Sequence, residues 1–365
     1  MLLCNHSHTL ISKGPLMIRD EHPRGLSRRT LIGGAAAGAV LAGALATEAA
    51  AQTTTGGPDL PQKLVPGDLV VVPAPGGPSN ATAVGRGIAI LESWGLRVEL
   101  TEHALDTFGY LSAPDADRLA DLNYALAHPE AKALMTVRGG YGTTRIIDDA
   151  DIEALEDHPK LVIGYSDITA LHLAIAERTG IPTLHSPMMA WSSNNTPATA
   201  ASLRQAVMTT DPIVLKQDET VPTHEVVIPG KATGTLLGGN LSLMAAEPDE
   251  SNWPDLDGAI LLVEEVDEAR YRVDNMLTRL LRAGHFDNLA GIAVGQFEPD
   301  PDDEYTAGEW TMNEVLMDRF GGLGVPILGG LKIGHGLDPR VVPLGTEAVL
   351  DTGAGTLTVQ PAVTD

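Results

Sequence analysis

From Gly67 onward the chain alternates short apolar runs with stretches whose apolar positions recur every three or four residues. Asp68-Leu69-Val70-Val71-Val72 is apolar after its first position and stops at Pro73-Ala74-Pro75-Gly76-Gly77-Pro78, the pattern of a buried strand and its exit loop. Val84, Ile88, Leu91 and Trp94 then share one helical face, with Gly95 as the stop. Residues 96–100 alternate as a strand. The same reading predicts helices over 115–127 and 168–178, a short helix near 152–155, and strands over 133–137, 161–163 and 181–184. Strands alternating with helices of this length call for a Rossmann-like parallel sheet with helices on both faces, here an α/β domain over residues 63–212.

The pattern changes after Trp191. A turn cluster, Ser192-Ser193-Asn194-Asn195-Thr196-Pro197, leads into one more helix over 198–208, and the chain then becomes strand-like. Residues 213–215, 225–228, 259–263, 291–297, 341–344, 348–350 and 356–359 are short, largely apolar runs bounded by Gly, Pro and Asp, interrupted by helices over 273–283 and 312–320. This predicts a smaller β-rich C-terminal domain over 233–365, joined through a linker at 213–232. The glycine pairs Gly76-Gly77 and Gly238-Gly239, and the glycines of 139–142, read as tight turns, since none matches a phosphate-binding loop with its lysine.

The first 51 residues follow another logic. Arg28-Arg29 precedes an uncharged Ala/Gly/Leu/Val stretch over 33–47, and the segment closes on Ala49-Ala50-Ala51. Paired arginines before a weakly apolar core and a small-residue cleavage site are the twin-arginine export pattern, which predicts a removed signal, a periplasmic destination and no membrane span in the mature form. Met17 then serves as a start, and residues 52–62 form a mobile leader. Removing residues 1–51 takes five of 24 basic and three of 48 acidic side chains, leaving a formal charge of −26. So acidic a surface repels nucleic acid and anionic lipid. The single cysteine, Cys4, leaves with the signal, so a thiol nucleophile and disulfides are excluded from the remainder. No metal-ligand spacing occurs and no cofactor is called for. A homodimer stays open.

The chemistry concentrates at strand exits. In Leu161-Val162-Ile163-Gly164-Tyr165-Ser166-Asp167-Ile168 an apolar strand runs through Gly into Ser and then a helix, which turns a hydroxyl out at the carboxyl edge of a sheet beside free helix N–H groups. Taken alone, Ser166 reads more often as only a helix cap, and Ile168 stands where G-x-S-x-G has its last glycine. Arg138-Gly139-Gly140-Tyr141-Gly142 follows another strand and could bring a second oxyanion donor to the same pocket. A serine nucleophile needs a base. His172 lies more than one turn beyond the elbow. His185 ends a strand, and His335 sits among glycines in a short strand at Gly329-Gly330-Leu331-Lys332-Ile333-Gly334-His335-Gly336; the two are evenly matched. The fully apolar 259–263 runs directly into Glu264-Glu265, where a carboxylate could hold a histidine ring, although two solvated acids would read the same.

Assembled, these segments resemble the LD-carboxypeptidase family of serine peptidases, which includes microcin-immunity relatives. The resemblance runs over nearly all of 67–357. Its carriers are Arg138-Gly142, Gly164-His172, Gly234-Leu241, Val263-Glu268 with Tyr271-Asp274, and Ile333-Gly334-His335 with Pro343-Leu344-Gly345. It implies a Ser-Glu-His triad on Ser166, Glu264 and His335, an oxyanion hole from the backbone N–H groups of Gly140 and Asp167, and a cleft between two domains. It also implies hydrolysis of the L-diamino acid–D-Ala bond of murein stem peptides. Separately, Arg138 or Arg145 is available for the terminal carboxylate, although an exposed Arg at a turn would read the same. Two alternatives accompany it: an amidase acting on peptidyl-nucleotides, for which Trp191 is the best-placed stacking residue, and a non-catalytic murein binder. Ser186, Glu265, Asn275 and Asp338-Pro339-Arg340 depart from the family's usual residues.

Overall fold

Leu69–Val72 (β1) has all four side chains buried, and such a run must be covered on both faces. The computed structural model, which describes residues 60–246, 252–300, 306 and 308–365, places β1 in a six-stranded sheet. Its companions are β2 (Arg97–Leu100), β3 (Ala131–Met135), β4 (Leu161–Gly164), β5 (Thr183–His185) and β12 (Val342–Leu344). The order is β12-β5-β4-β3-β1-β2, parallel except for the antiparallel β12. Helices α1 (Ala81–Ser93), α2 (Asp115–Ala127), α3 (Ala154–Asp157) and α4 (Thr169–Arg178) connect the strands, and α5 (Pro197–Met208) leads from the first sheet into the second. The chain leaves β1 for β2 on one side and returns to β3 on the other. The loops after β1 and β3 therefore part at the carboxyl edge, the place where open α/β sheets bind ligands.

The second sheet has eight strands: β6 (Ile213–Lys216), β7 (Val227–Ile228), β8 (Lys231–Asn240), β9 (Ile260–Glu268), β10 (Gly291–Pro299), β11 (Ile327–Leu328), β13 (Glu347–Asp351) and β14 (Thr356–Val359). Strands β8 to β11 run parallel, and the flanking pairs are antiparallel. Helices α6 (Leu241–Ala246), α7 (Arg270–Ala283) and α8 (Met312–Phe320) close its outer face over an apolar layer that includes Leu261, Val263, Leu277, Val294 and Leu316. A second layer joins the sheets, running from Val72, Met135 and Leu184 to Leu236, Leu262 and Leu350. This is the expected two-domain α/β architecture.

Five sequence expectations change. The proposed linker at 213–232 contributes β6, β7 and the start of β8 to the second sheet. Residues 342–344 cross back to edge the first sheet beside β5. Gly238 and Gly239 are strand residues rather than a turn. They pair with Leu262 and Val263 at φ 120° and 146°, where a Cβ would fall 2.1 Å from Leu262 O and 2.8 Å from Thr169 Oγ1. Residues 329–336 are an irregular loop following β11, with Gly330 at φ 79° and Gly334 at φ 126°. Of the expected mobile leader, Pro61–Gln62 is pinned: Thr364 N–H donates to Pro61 O at 2.9 Å, and Gln62 bridges Thr364. The expected export signal lies outside the described residues. Among them, no helix is long and apolar enough to cross a membrane.

Candidate active site

Strand β4 ends at Gly164, where nothing larger fits: a Cβ there would lie 2.7 Å from Thr136 Oγ1 and 2.8 Å from Ile168. Tyr165 is extended, and Ser166 then turns into the left-handed region at φ 64° before a 3₁₀ turn over Ser166–Ile168 enters α4. A non-glycine residue held there stores on the order of 1–3 kcal/mol, and such strain gathers at functional sites. His172 ties the helix back to this elbow, its Nε2 2.9 Å from Gly164 O, and burial brings its imidazole down to about 3. It is therefore a neutral structural donor. The Asp167 carboxylate points into the protein, where Oδ2 accepts from the Thr143 N–H at 2.9 Å and hydroxyl at 2.7 Å.

The turn after β3 presses on this elbow. Gly77 N–H donates to Gly139 O at 2.7 Å, and a Cβ on Gly139 would lie 2.8 Å from Ser166 Cβ, 3.0 Å from its Oγ and 3.1 Å from Asp167 N. Among the described residues, no acceptor pairs with the N–H of Gly140 or of Asp167.

Glu264, in β9, is fully buried. His335 Nδ1 lies 2.7 Å from its Oε2. Two glycines permit the approach: a Cβ on Gly334 would lie 2.7 Å from Glu264 Oε2, and one on Gly295 3.0 Å from Glu264 Cβ. Burial alone would push the Glu264 carboxyl up, but the imidazoles of His335 and His185 outweigh it and hold the group well below its ordinary value. Burial alone would likewise lower His335, and the Glu264 carboxylate reverses this to a net rise above 6.5. The Tyr165 ring packs at a 38° tilt against the His335 imidazole, 4.5 Å between centroids, so the nucleophile candidate's neighbour packs against the base candidate. Ser166 and His335 line one cavity of ≈ 610 Å³, together with Arg86, Arg138, Gly140, Trp191 and Asp267. In this structure the Ser166 hydroxyl and His335 are not hydrogen-bonded to each other.

The rival base, His185, is 1 % exposed at its side chain, and its Nε2 faces Glu264 Oε1 at 3.5 Å, away from the cavity lining. Glu265 is buried beside the site, where Asn240 Nδ2, Ser242 N–H and Val266 N–H all donate to it. Arg145 is spent on a surface ion pair, Nη2 to Asp115 Oδ2 at 2.6 Å, and does not line the cavity. Arg138 does, with Nη1 donating to Pro78 O at 3.1 Å.

Sequence reasoning missed the residues that fasten the His335 loop. Gln296 accepts from Gly336 N–H and donates to Leu337 O, both at 3.1 Å. Asn194, read only as part of a turn, donates from Nδ2 to His335 O at 2.9 Å. Asp338, at φ 61°, accepts from the Thr196 hydroxyl and pairs with Arg340. A polar Gln inside the apolar run 291–297 was the one available signal. Arg86, whose guanidinium donates to Trp191 O at 2.6 Å, and Asp267, at φ 57°, were also overlooked as cavity residues. Among the described residues, no cluster of three His, Cys, Asp or Glu could hold a metal ion.

Residues 70–186 match the LD-carboxypeptidase N-terminal domain and residues 233–350 the LD-carboxypeptidase C-terminal domain. A Streptomyces coelicolor protein named as a carboxypeptidase is 38% identical over 311 residues, 83% of this chain and 97% of that one. The chain belongs to the LD-carboxypeptidase family. A Bacillus subtilis protein named as a murein peptide carboxypeptidase is 36% identical over 311 residues, 84% of this chain and 95% of that one. The crystal structure of muramoyltetrapeptide carboxypeptidase from Oxalobacter formigenes superposes with a TM-score of 0.71 at 27% identity, covering 81% of this chain and all of that one (100%). The microcin C7 self-immunity protein shares the fold, with a TM-score of 0.74 at 21% identity, 84% of this chain and 100% of that one. This LD-carboxypeptidase family member is thus a serine carboxypeptidase.

Proposed function

We propose that the enzyme hydrolyses the bond between the L-centre of a diamino acid and a terminal D-Ala in murein stem peptides, through a Ser166-Glu264-His335 triad. The observation that carries this reading is the hydrogen bond between buried Glu264 and His335, whose imidazole shares a cavity with the strained Ser166 elbow. Glu264 keeps the His335 proton on Nδ1, leaving Nε2 to take the Ser166 proton as Oγ attacks the peptide carbonyl. The N–H groups of Gly140 and Asp167 receive the oxyanion, each donor worth about 3–4 kcal/mol of barrier. His335 then protonates the departing D-Ala amine. Water attacks the acyl-enzyme with its proton passing to His335, which returns it to Ser166 as the shortened peptide leaves.

The cavity's charges suit such a substrate. Arg138 and Arg86 offer guanidinium groups for the terminal carboxylate, and Asp267 offers a carboxylate for the side-chain amine of the diamino acid. The names of the Bacillus and Oxalobacter relatives support murein as the polymer. The twin-arginine segment supports a periplasmic enzyme that meets murein in place. A second reading, an amidase on peptidyl-nucleotides, has Trp191 in the cavity in its favour. One experiment separates them: residues 52–365 incubated with a purified tetrapeptide release tripeptide and D-Ala, read by mass, and Ser166→Ala releases neither. Cleavage of a peptidyl-nucleotide but not the tetrapeptide would favour the second reading, and turnover by Ser166→Ala would end the first.

A further inference from the structure

Glu264 is held from two sides, and the triad uses only one of them. Its Oε2 meets His335, while Oε1 faces His185 Nε2 at 3.5 Å. Both Oε1 and this Nε2 are buried, and among the described residues neither has a hydrogen-bond partner. Two orphaned polar atoms, each facing the other in a dry interior, are explained most simply as a pair, because a buried polar group left unmet is costly. The backbone fixes this approach. His185 closes β5, whose ladders to β4 (Gly164 opposite His185) and to β12 (Val342 opposite His185) hold it on both sides. The Tyr165 ring packs edge-on against it at 5.8 Å. Strand β5 belongs to the first sheet and Glu264 to the second, so the pair also spans the two domains.

We infer that His185 is a positioning residue: with hydrogen on Nε2, it donates to Glu264 Oε1 and fixes the carboxylate so that Oε2 faces His335 Nδ1. This rests on the triad reading. An ionised carboxylate only accepts, so the hydrogen must be on His185 Nε2. A carboxylate free to rotate about its last bond would let the His335 ring tilt, and a misplacement of about 1 Å in a catalytic array lowers turnover roughly 100-fold.

The test is a double-mutant cycle with the tetrapeptide as substrate. His185→Phe keeps ring volume and removes the donor; kcat should fall about 10- to 100-fold with KM unchanged. His185→Gln puts an amide N–H where Nε2 stood and should recover activity to within a fewfold, whereas His185→Asn, whose amide reaches only to the Nδ1 position, should not. In a Glu264→Ala background His185→Phe should have no further effect, since the group through which it acts is gone. A loss of equal size in both backgrounds, or a Gln variant as slow as Phe with an unchanged Tm, would overturn the role of His185 while leaving the triad intact. A Glu264→Ala enzyme with wild-type kcat would instead overturn the triad, and this role with it. If the Phe variant does not fold, the Gln and Asn variants carry the same contrast.

Discussion

The backbone of Gly139 presses on Ser166, the nucleophile of the proposed triad, which makes Gly139→Ala a sharp probe. The added methyl would stand 2.8 Å from Ser166 Cβ, about 0.6 Å inside the 3.4 Å of ordinary contact, and 3.0 Å from Oγ and 3.1 Å from Asp167 N. Its backbone lies outside the left-handed region, so alanine adds no conformational strain and the perturbation is purely steric. Neither neighbour can yield freely: Gly139 O is bound by Gly77 N–H at 2.7 Å, and the elbow is tied through Asp167 to Thr143. Such overpacking costs about 1–3 kcal/mol of stability. If the shift falls on Ser166 Oγ or on the Asp167 N–H, the expected loss in kcat is about 100- to 1,000-fold, as for a displaced oxyanion donor. Gly85→Ala is the control. It lies in α1 with nothing within 4 Å of the new methyl, and should stabilise the helix by about 0.5–1 kcal/mol with activity unchanged. Steady-state tetrapeptide hydrolysis beside thermal melts reads both effects. A folded Gly139→Ala enzyme with kcat within threefold of wild type would refute the claim that this turn sets the elbow.

Three further outcomes follow from the buried groups. Because the Glu264 carboxylate holds His335 above 6.5, the acid limb of kcat/KM should lie above that value. In Glu264→Gln the largest opposing charge is gone and only Glu265 and Asp267 remain to counter burial, so the limb should move down as kcat falls about 10⁴-fold, which a pH–rate profile reads. Gln296→Leu strands the buried Gly336 N–H and frees Leu337 O; a loss of roughly 1–3 kcal/mol from the buried N–H should appear as a lower Tm together with a lower kcat. Lys160, buried with Nζ donating to Ala125 O and His128 O, is brought by burial from 10.5 to about 8. Between those two values the unfolded chain binds more protons, so stability from this group rises with pH from about 8 to 10.5; denaturant titrations of Lys160→Met at both ends should show that slope gone.

Local pattern made much of this legible. Helix 115–127 appears at the expected residues because two turns of apolar spacing and an acidic first turn agree. The Ser166 elbow was readable because its parts are contiguous: a buried strand, a glycine with no room for a side chain, and a helix start. Strand β8 was hidden, because Gly238 and Gly239 look like a turn until β9 is seen crowding their backbones. The His335 loop was misread as a strand because its glycines answer to Glu264 and Gln296, both far off in the chain.

Taken alone, the chain determined its alternating elements, its two-domain α/β class, and the Ser and Glu at strand exits, since each rests on neighbours a few residues away. It could not rank His185 against His335, because both end short apolar segments and their meaning depends on partners at long range. The fold sets them apart. Both imidazoles converge on one buried carboxylate, one at 1 % side-chain exposure behind it and the other at 14 % in the cavity with Ser166. The physical reason is that side-chain roles at a domain junction depend on packing between separate sheets, which local periodicity does not encode.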